Sequence, residues 1–401
     1  MLSPAEKSLI EPIDQQRMLS RVEEWAAVNS GTSNLDGLAQ VADMLADAFA
    51  TLPGDVTLRD PAPVTVVSES GAEVEKAHGR HLVVSVRPEA DRRILLTGHM
   101  DTVFAKDHPF QSLTWLDEDT LNGPGTADMK AGLAIILEAL SALEASDVAD
   151  RIGYDVMINS DEETGSLSSA PLIDELAQGK YAALTYEPSA LPDGTLAHAR
   201  GGSGNYALTF TGRSAHAGRN PQDGRNAVVA AADCAVRLKA MQHGDLPINP
   251  AKIDGGAANN VVPDLAILRF NIRPKTLAAG EKFERELKTL VAGLESDHEV
   301  GIAVHGGITR PPKPVPPEAQ KLFDLVRDSG AALGQAIGWQ PTGGVCDGNN
   351  IAARHVPVVD TMGVRGGKIH SPDEFMIAPS LTERAQLSAV VLHRLASGET
   401  L

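Results

Sequence analysis

Histidine, aspartate and glutamate residues follow several apolar stretches of this chain at the point where each stretch ends. His99 and Asp101 come after ILLTG, Glu162 and Glu163 stand in the acidic run after YDVMINS, and Glu187 lies in LTYEPS. Such apolar stretches predict buried strands, and ligands bind at the carboxyl ends of strands in open α/β sheets. Since imidazole nitrogens and carboxylate oxygens suit zinc, the pattern predicts a metal site.

Two further motifs offer ligands. His370 stands in GKIHSPDEF, and Asp128 in NGPGTADMKAGLA, where a tight glycine-rich loop leads into a helix. Taken singly, such motifs have simpler interpretations, namely a solvated His-x-Asp at a strand end or an Asp128 that only caps the helix. The run from Asp161 to Glu163 is different, because three adjacent acids at a buried strand end are costly without a cation. One of its two glutamates can bind a metal while the other takes a proton from metal-bound water.

The elements that must position these residues follow from hydrophobic periodicity. LDGLAQVADMLADAF predicts an amphipathic helix with Asn34 as its cap. RILLTGHMDTV predicts a strand, GLAIILEALSALEA a helix and YDVMINSDEE another strand. Strand, helix and strand in this order predict a parallel α/β sheet.

A second pattern begins near residue 200. After the glycine-rich ARGGSGNY, the chain follows the β-α-β-β-α-β order of a ferredoxin-like domain, which ends at the proline-rich TRPPKPVPP. The α/β pattern then resumes. We therefore predict a discontinuous catalytic domain at residues 1–198 and 313–401, with a lid domain inserted at residues 199–312.

Composition narrows the classes of protein. The chain has 35 Lys and Arg against 53 Asp and Glu, and its formal net charge of −18 repels nucleic acid and anionic membranes. The only cysteines, Cys234 and Cys346, exclude a disulfide framework and a thiolate zinc site and indicate a reducing compartment. The N-terminal segment has the pattern of neither a signal peptide nor a membrane anchor. We predict a cytoplasmic protein that binds a small molecule, without nucleic-acid or membrane partners.

The motifs GHMDTV, GPGTADMKAG, SDEETGS, YEPS, GRSAHAG and KIHSPDEF occur in this order along the chain. This ordered set resembles the dinuclear zinc metallopeptidase family of glutamate carboxypeptidases, aminoacylases, acetylornithine deacetylases and succinyl-diaminopimelate desuccinylases, and most of all the glutamate carboxypeptidase branch. The resemblance implies an α/β fold: a zinc-peptidase-like catalytic domain with a mostly parallel central sheet, plus an inserted ferredoxin-like α+β domain that serves as lid and dimerisation domain. It also implies a homodimer formed through the lid.

The resemblance implies two Zn²⁺ per subunit, for which Co²⁺ or Mn²⁺ could substitute. Asp128 would bridge the metals, one metal taking His99 and Glu187 and the other Glu163 and His370. Asp101 would orient His99, and Glu162 would act as general base on a metal-bridging hydroxide. The bond between Asp128 and Met129 would be cis.

Substrate recognition is also implied by the resemblance. A Glu at position 187 is similar to carboxypeptidase and deacylase members, whereas an Asp is typical of aminopeptidases. His216 of GRSAHAG matches a histidine that, in dimeric relatives, reaches the neighbouring subunit's site and stabilises the oxyanion. The residues that match binders of the substrate carboxylate are Asn260, Arg310 and Arg273, of which Arg310 is the preferred anchor and Arg273 has a purely structural alternative.

The remaining candidates lie near glycine-rich loops. Asp347, Asn349 and Arg365 could line the pocket. Glutamate-specific relatives carry a Lys between the Glu187 motif and the lid, and this chain has Thr195 near that place, with no base before Arg200. The sequence therefore does not predict glutamate specificity. Cys346 lacks a paired histidine motif, so we do not predict a cysteine nucleophile.

The predicted activity is metal-dependent hydrolysis of the amide bond of an N-acyl or peptidyl amino acid with a free carboxylate. One alternative is an N-acetyl-diamino-acid deacetylase or desuccinylase. Another is an inactive relative that keeps the pocket as a binding module. All five presumed ligands and the base are present, and this argues against the inactive relative.

Overall fold

The computed structural model describes residues 1–401. Ten α-helices are present: α1 (Pro4–Ile10), α2 (Gln15–Ala26), α3 (Leu35–Phe49), α4 (Ala131–Glu144), α5 (Ala170–Ala177), α6 (Ala227–Ala240), α7 (Leu277–His298), α8 (Pro317–Ala332), α9 (Asp347–Ala352) and α10 (Ser380–Ala396). None of them is long and apolar enough to cross a membrane.

Eighteen strands complete the regular structure: β1 (Asp55–Arg59), β2 (Thr65–Val67), β3 (Glu73–Glu75), β4 (His81–Val86), β5 (Arg93–His99), β6 (Thr114–Trp115), β7 (Thr120–Asn122), β8 (Gly153–Asn159), β9 (Ala182–Thr185), β10 (Leu196–Arg200), β11 (Ser203–Thr211), β12 (Ile248–Gly255), β13 (Leu265–Ile272), β14 (Gly301–Arg310), β15 (Trp339–Thr342), β16 (Val358–Val359), β17 (Gly366–Gly367) and β18 (Phe375–Ile377).

The central sheet has six strands in the order β1-β4-β8-β5-β9-β16. Strand β5 pairs in parallel with both β8 and β9, and β16 pairs in parallel with β9. The two pairings at the other edge, β1 with β4 and β4 with β8, are antiparallel. The predicted parallel strand-helix-strand unit is thus confirmed, within a sheet that is mixed as a whole. The carboxyl ends of β5, β8 and β9 meet at one edge.

Helix α4 connects β5 to β8 and is apolar on nearly every face. All of its residues from Ala131 to Leu140 are buried, and it packs against α2 and α10. A helix that is hydrophobic all round is stable only inside a protein. It therefore lies at the centre of the main core of 56 buried residues, which also takes in the sheet face. Helix α3 begins as predicted, because the Asn34 side chain accepts the N–H of Gly37.

Residues 203–310 form a separate sheet with its own helices, which we call the four-stranded unit. Its elements follow the order β11-α6-β12-β13-α7-β14, and its strands lie in the order β12-β13-β11-β14, all antiparallel. This element order agrees with the predicted ferredoxin-like order. The unit has its own core of 18 buried residues, including Phe210, Phe270 and Phe283. Its role as a lid and the exact domain bounds stay predictions.

A hairpin of the first half of the chain contacts the four-stranded unit. The sequence does not predict this contact. The hairpin is formed by β2 and β3. Arg269 donates from Nη2 to the carbonyl oxygens of Val67 and Ser68, both at 3.0 Å. His305 Nε2 lies 2.9 Å from the carbonyl oxygen of Thr65. The hairpin thus ties the four-stranded unit to the rest of the molecule.

Candidate metal centre

The predicted ligands converge at the carboxyl edge of the central sheet, and Asp128 lies between the two histidines. Its Oδ1 is 3.1 Å from His99 Nε2, and its Oδ2 is 3.3 Å from His370 Nε2. Glu187 Oε2 is 3.6 Å from His99 Nε2, and Glu163 Oε2 is 3.0 Å from His370 Nε2. Each oxygen of Asp128 therefore faces a different His/Glu pair, which is the arrangement a bridging carboxylate needs.

The conformation of the backbone around Asp128 fixes the position of this residue. Residues Thr126–Lys130 form a kinked turn before α4, in which Asp128 and Met129 have non-helical dihedral angles. The Asp128–Met129 peptide bond is cis, as the resemblance implies. Glu374 Oε1 accepts the N–H groups of Ala127 and Asp128, each at 3.0 Å. The carboxylate of Glu374 thus fixes the turn from which Asp128 points into the site.

Two buried residues near Asp128, Glu374 and Lys130, were not predicted from the sequence. Lys130 Nζ is buried and donates to the carbonyl oxygens of Trp25 and Val28, both at 3.0 Å. The only sequence signal for Glu374 was its place in the same motif as His370, and for Lys130 its place two residues after Asp128. Neither position in the sequence indicates which distant backbone segment the side chain contacts.

Asp101 supports both His99 and the glutamate turn. His99 Nδ1 is 3.0 Å from the Asp101 carbonyl oxygen and 3.4 Å from its Oδ1. The carboxylate of Asp101 also accepts the N–H groups of Glu162 and Glu163, each at 3.2 Å, and the hydroxyl of Thr32 at 2.6 Å. A proton on Nδ1 leaves Nε2 free to bind a metal. The predicted orienting role stays a prediction, but the contacts fit it.

The electrostatics of the site reflect an excess of buried carboxylates. Burial raises the pKa of Glu163 to about 8 and that of Glu162 to about 7, and it also raises the pKa of Glu187. Burial also tends to raise the pKa of Asp128. Hydrogen bonds from His370 and His99 outweigh this effect and hold the pKa of Asp128 below its usual value. Hydrogen bonds to Asp128 and Glu163 raise the pKa of His370 to about 11.

Divalent cations fit this donor set. Donor atoms of His99, Asp128 and Glu163 lie within 4.8 Å of one another, and so do those of His99, Glu162 and Glu187. Imidazole nitrogens and carboxylate oxygens are ordinary zinc ligands, and a cation would relieve the repulsion among the acids. The two overlapping groups place Glu162 within reach of the metal region, as a general base requires.

A cavity of about 780 Å³ is lined by four of the five predicted ligands, Asp128, Glu163, Glu187 and His370. Only 5 of its 27 lining residues are hydrophobic, so the cavity suits a polar molecule. Four cationic side chains line it, those of Arg200, Arg273, Arg310 and Lys368. Arg200 is already neutralised, because its Nε and Nη2 donate to the carboxylate of Asp360 at 2.8 and 3.0 Å. Arg310 pairs with Glu162, and Lys368 pairs with Asp373. Arg273 donates only to the amide oxygen of Asn271, so it is the cation most available to an anionic ligand.

Arg310 is buried and is held by the turn that carries Glu162. Its Nη1 lies 2.7 Å from Glu162 Oε1 and 3.5 Å from Asp347 Oδ1. Its Nη2 donates to Ser166 Oγ at 2.8 Å and to the Glu162 carbonyl oxygen at 2.9 Å. The predicted anchor for a substrate carboxylate thus lines the cavity but contacts the predicted base. Arg273 also lines the cavity, and its Nε donates to Asn271.

His216 and Asn260 lie elsewhere. Both are exposed, and neither lines the cavity. Their loops are adjacent, since the N–H of Ala217 donates to the Asn260 carbonyl oxygen at 2.9 Å and His216 pairs with Val261. Within one chain these two residues therefore do not join the metal ligands, and their roles stay predictions.

The other suggested pocket residues are not at the cavity surface. Asp347, Asn349 and Arg365 do not line it. Asn349 instead donates to the carbonyl oxygens of Gly201 and Pro311, and Arg365 pairs with Glu383. Cys346 does line the cavity, but burial raises its pKa well above the usual value, which disfavours a thiolate nucleophile.

This fold and this cluster are those of a metal-dependent hydrolase, and a family model agrees. The chain belongs to peptidase family M20/M25/M40, whose model matches residues 95–394. Among its relatives, carboxypeptidase G2 of Pseudomonas sp. (strain RS-16) is 28% identical over 397 residues, which cover 96% of this chain and 91% of that protein. Succinyl-diaminopimelate desuccinylase of Magnetococcus marinus is 26% identical over 329 residues, covering 76% of this chain and 83% of that protein.

Solved structures share the fold. A tripeptidase from Staphylococcus aureus superposes with a TM-score of 0.71 at 24% sequence identity, covering 96% of this chain and 99% of that chain. This likeness extends over both the central sheet and the four-stranded unit, because it spans nearly the whole chain. The predicted family and the α/β fold class are confirmed.

Proposed function

We propose that this protein hydrolyses the amide bond of an N-acyl or peptidyl amino acid that carries a free carboxylate, using two zinc ions. The observation that carries this proposal is the position of Asp128, whose two carboxylate oxygens face His99 and His370 separately. His99 and Glu187 would hold one metal, and Glu163 and His370 would hold the other. When bound, the metals would supply a nucleophile at neutral pH and polarise the scissile carbonyl.

Glu162 is the proposed general base. It lies beside the ligands, and its buried carboxyl has a pKa raised to about 7, which suits a group that must accept and return a proton near neutral pH. In hydrolysis, Glu162 would accept a proton from water as the new C–O bond forms. It would then pass this proton to the amide nitrogen as the C–N bond breaks, so that the base is regenerated.

The cavity supports an anionic, polar substrate. Arg273, Arg310 and Lys368 line it together with few apolar groups. An arginine fork pairs bidentately with a carboxylate, and this suits the free carboxylate of an amino acid product. The similarity to carboxypeptidase G2, over nearly the full length of both chains, supports the same activity class. The similarity to succinyl-diaminopimelate desuccinylase keeps a desuccinylase as the second candidate.

The homodimer and the role of His216 belong to the same proposal. His216 is exposed and absent from the cavity of its own chain, as expected for a residue that serves a neighbouring subunit. In a dimer built through the four-stranded unit, His216 would stabilise the oxyanion in the partner's site. A cytoplasmic location, inferred from the two unpaired cysteines, also stays a prediction.

A substrate panel tests the proposal. Zinc-loaded protein is incubated with N-acetyl, N-succinyl and N-benzoyl amino acids and with dipeptides, beside a Glu162→Gln variant and a chelated sample. Turnover that disappears in both controls supports the activity, and the fastest acyl group separates carboxypeptidase from desuccinylase. If protein with two bound zinc ions hydrolyses none of these compounds, the proposed activity is wrong.

A further inference from the structure

Arg310 and Glu162 contact each other in the structure, although in the proposed reaction each of them would contact something else. Arg310 is the proposed anchor of the substrate carboxylate, and Glu162 is the proposed base. In the structure they bind each other, with Nη1 at 2.7 Å from Oε1. We call this contact the resting ion pair. While it persists, Arg310 is paired with the base rather than with a substrate, and one oxygen of Glu162 is turned toward a guanidinium.

Arg310 is held in this position from several sides. It is only 2% exposed. Ser166 and the Glu162 carbonyl oxygen occupy Nη2, and Asp347 lies 3.5 Å from Nη1. Asp347 is itself fixed by Asn159 Nδ2 at 2.7 Å and by the Ser166 hydroxyl at 2.5 Å. Two buried carboxylates therefore share one guanidinium, which leaves this trio with a net negative charge.

Arg310 lies where the two regions of the molecule meet. It is the last residue of β14, at the point where the four-stranded unit returns to the central sheet, while Glu162 stands on the turn after β8. Arg310 also lines the cavity, so an anion that enters the cavity reaches the guanidinium directly. A substrate carboxylate can replace Glu162 as its partner, because a guanidinium pairs equally well with either carboxylate.

We infer that Arg310 makes the protein specific for a free carboxylate at the catalytic step, because only a substrate carboxylate draws Arg310 away from Glu162 and releases the base. This inference rests on the proposed hydrolysis. It adds that a neutral substrate is bound and then turned over slowly, because the resting ion pair stays closed.

A pair of substrates tests the inference. The panel compound with the highest kcat/KM is compared with its carboxamide, in which –CONH₂ replaces the free carboxylate. For the native protein we expect the carboxamide to lose mainly kcat, by on the order of a hundredfold, which is the size of effect that a general base commonly contributes. A loss confined to KM would contradict the inference, since it would mean that the carboxylate only adds uniform binding.

The decisive variant is Arg310→Gln, because the inference predicts opposite effects on the two substrates. Its kcat/KM for the free acid falls, since the anchor is gone. Its kcat for the carboxamide rises about tenfold or more above that of the native protein, since the base is no longer paired. A parallel loss on both substrates would mean that Arg310 only positions Glu162. An unchanged carboxamide rate would mean that Arg310 is only an anchor. Either result overturns the inference.

Controls keep the test interpretable. Arg273→Gln removes another cavity arginine that does not contact Glu162, and it must not raise the carboxamide kcat; a rise there would overturn the inference. If Arg310→Gln does not fold, Arg310→Lys retains a buried cation for Glu162 and Asp347 while losing the fork. Its kcat/KM for the free acid should then fall while its carboxamide kcat stays at the native value, and an equal fall on both substrates would overturn the inference. If the native protein cleaves no free acid at all, the proposed function fails, which is a separate outcome from failure of the resting ion pair.

Discussion

The metal-ligand cluster and the four-stranded unit hold their candidate site residues in opposite ways. The ligands at the sheet edge converge in one chain, with Asp128 between two histidines and backbone N–H groups fixed by Glu374. His216 and Asn260 of the four-stranded unit are exposed and lie outside the cavity. A single chain thus brings the proposed metal ligands together but leaves His216 and Asn260 apart from them. If the proposed dimer forms, metal binding would be a property of the chain and catalysis a property of the dimer.

Among the substitutions considered, replacing the proposed bridging carboxylate of Asp128 should have the largest effect. Loss of an outer partner of a metal ligand already costs about 10- to 100-fold, so Asp128→Asn, which weakens a ligand shared by both metals, should lower kcat at least about a thousandfold. Metal analysis of the purified variant should show less than two zinc ions per chain. Asp174→Asn, in an exposed ion pair with Arg354, is the matched control and should leave both quantities unchanged. Full activity in Asp128→Asn would rule out the bridging role.

Replacing His216 tests whether the site needs a second chain. His216→Ala should keep its zinc and lose about a hundredfold in kcat, since one oxyanion donor is missing. Mixing it with Glu162→Gln should restore about a quarter of native activity if subunits exchange at random, because half of the dimers then hold one intact site out of two. The measurement is the rate of the mixture against that of each variant alone. No recovery after proven exchange would show that His216 serves its own chain or no site.

A smaller effect is expected for Glu374, which supports Asp128 without contacting the metals. Glu374→Ala leaves the N–H groups of Ala127 and Asp128 without their acceptor. We expect zinc affinity to fall about 10- to 100-fold, as for other outer partners of metal ligands. Competition with a fluorescent chelator measures this directly. Glu383→Ala, which breaks a partly exposed pair with Arg365, serves as control, and equal losses in the two variants would refute a specific role for Glu374.

The smallest expected effect concerns the hairpin that ties the two regions together. Arg269→Ala removes two hydrogen bonds to the hairpin carbonyls, together with the ion pair of Arg269 with Asp254, and should lower the free energy of unfolding by about 1 to 3 kcal/mol. Lys282→Ala breaks only an exposed pair with Glu286 and should leave stability unchanged. Urea denaturation of both variants provides the comparison. Equal stability of the two variants would mean that the hairpin contact contributes nothing.

Three of the ligands were predictable because each stands at the end of a strand whose burial is visible in the sequence. His99 ends β5, Glu163 and Glu187 stand just beyond β8 and β9, and parallel pairing of these strands brings their ends together. The β-α-β-β-α-β order was predictable for the same reason, since alternation of local periodicities marks each element. Local sequence patterns therefore sufficed for residues whose position follows directly from the end of a strand.

Contacts between distant segments were not predictable. Glu374 binds the backbone of Asp128 across 246 positions, and Arg310 reaches Glu162 across 148. Asp347 was expected to line the pocket, but it points instead to Asn159 and Ser166. Such contacts depend on how β14 and the loops after it dock on the sheet edge, which no local periodicity encodes.

Anomalous diffraction from a crystal of the zinc-loaded protein tests the central claim most directly. Data collected at the zinc edge should show two peaks about 3.5 to 4 Å apart in each subunit. Asp128 should bind both, with His99 and Glu187 on one and Glu163 and His370 on the other. A single peak, or two peaks that Asp128 does not bridge, would contradict the account.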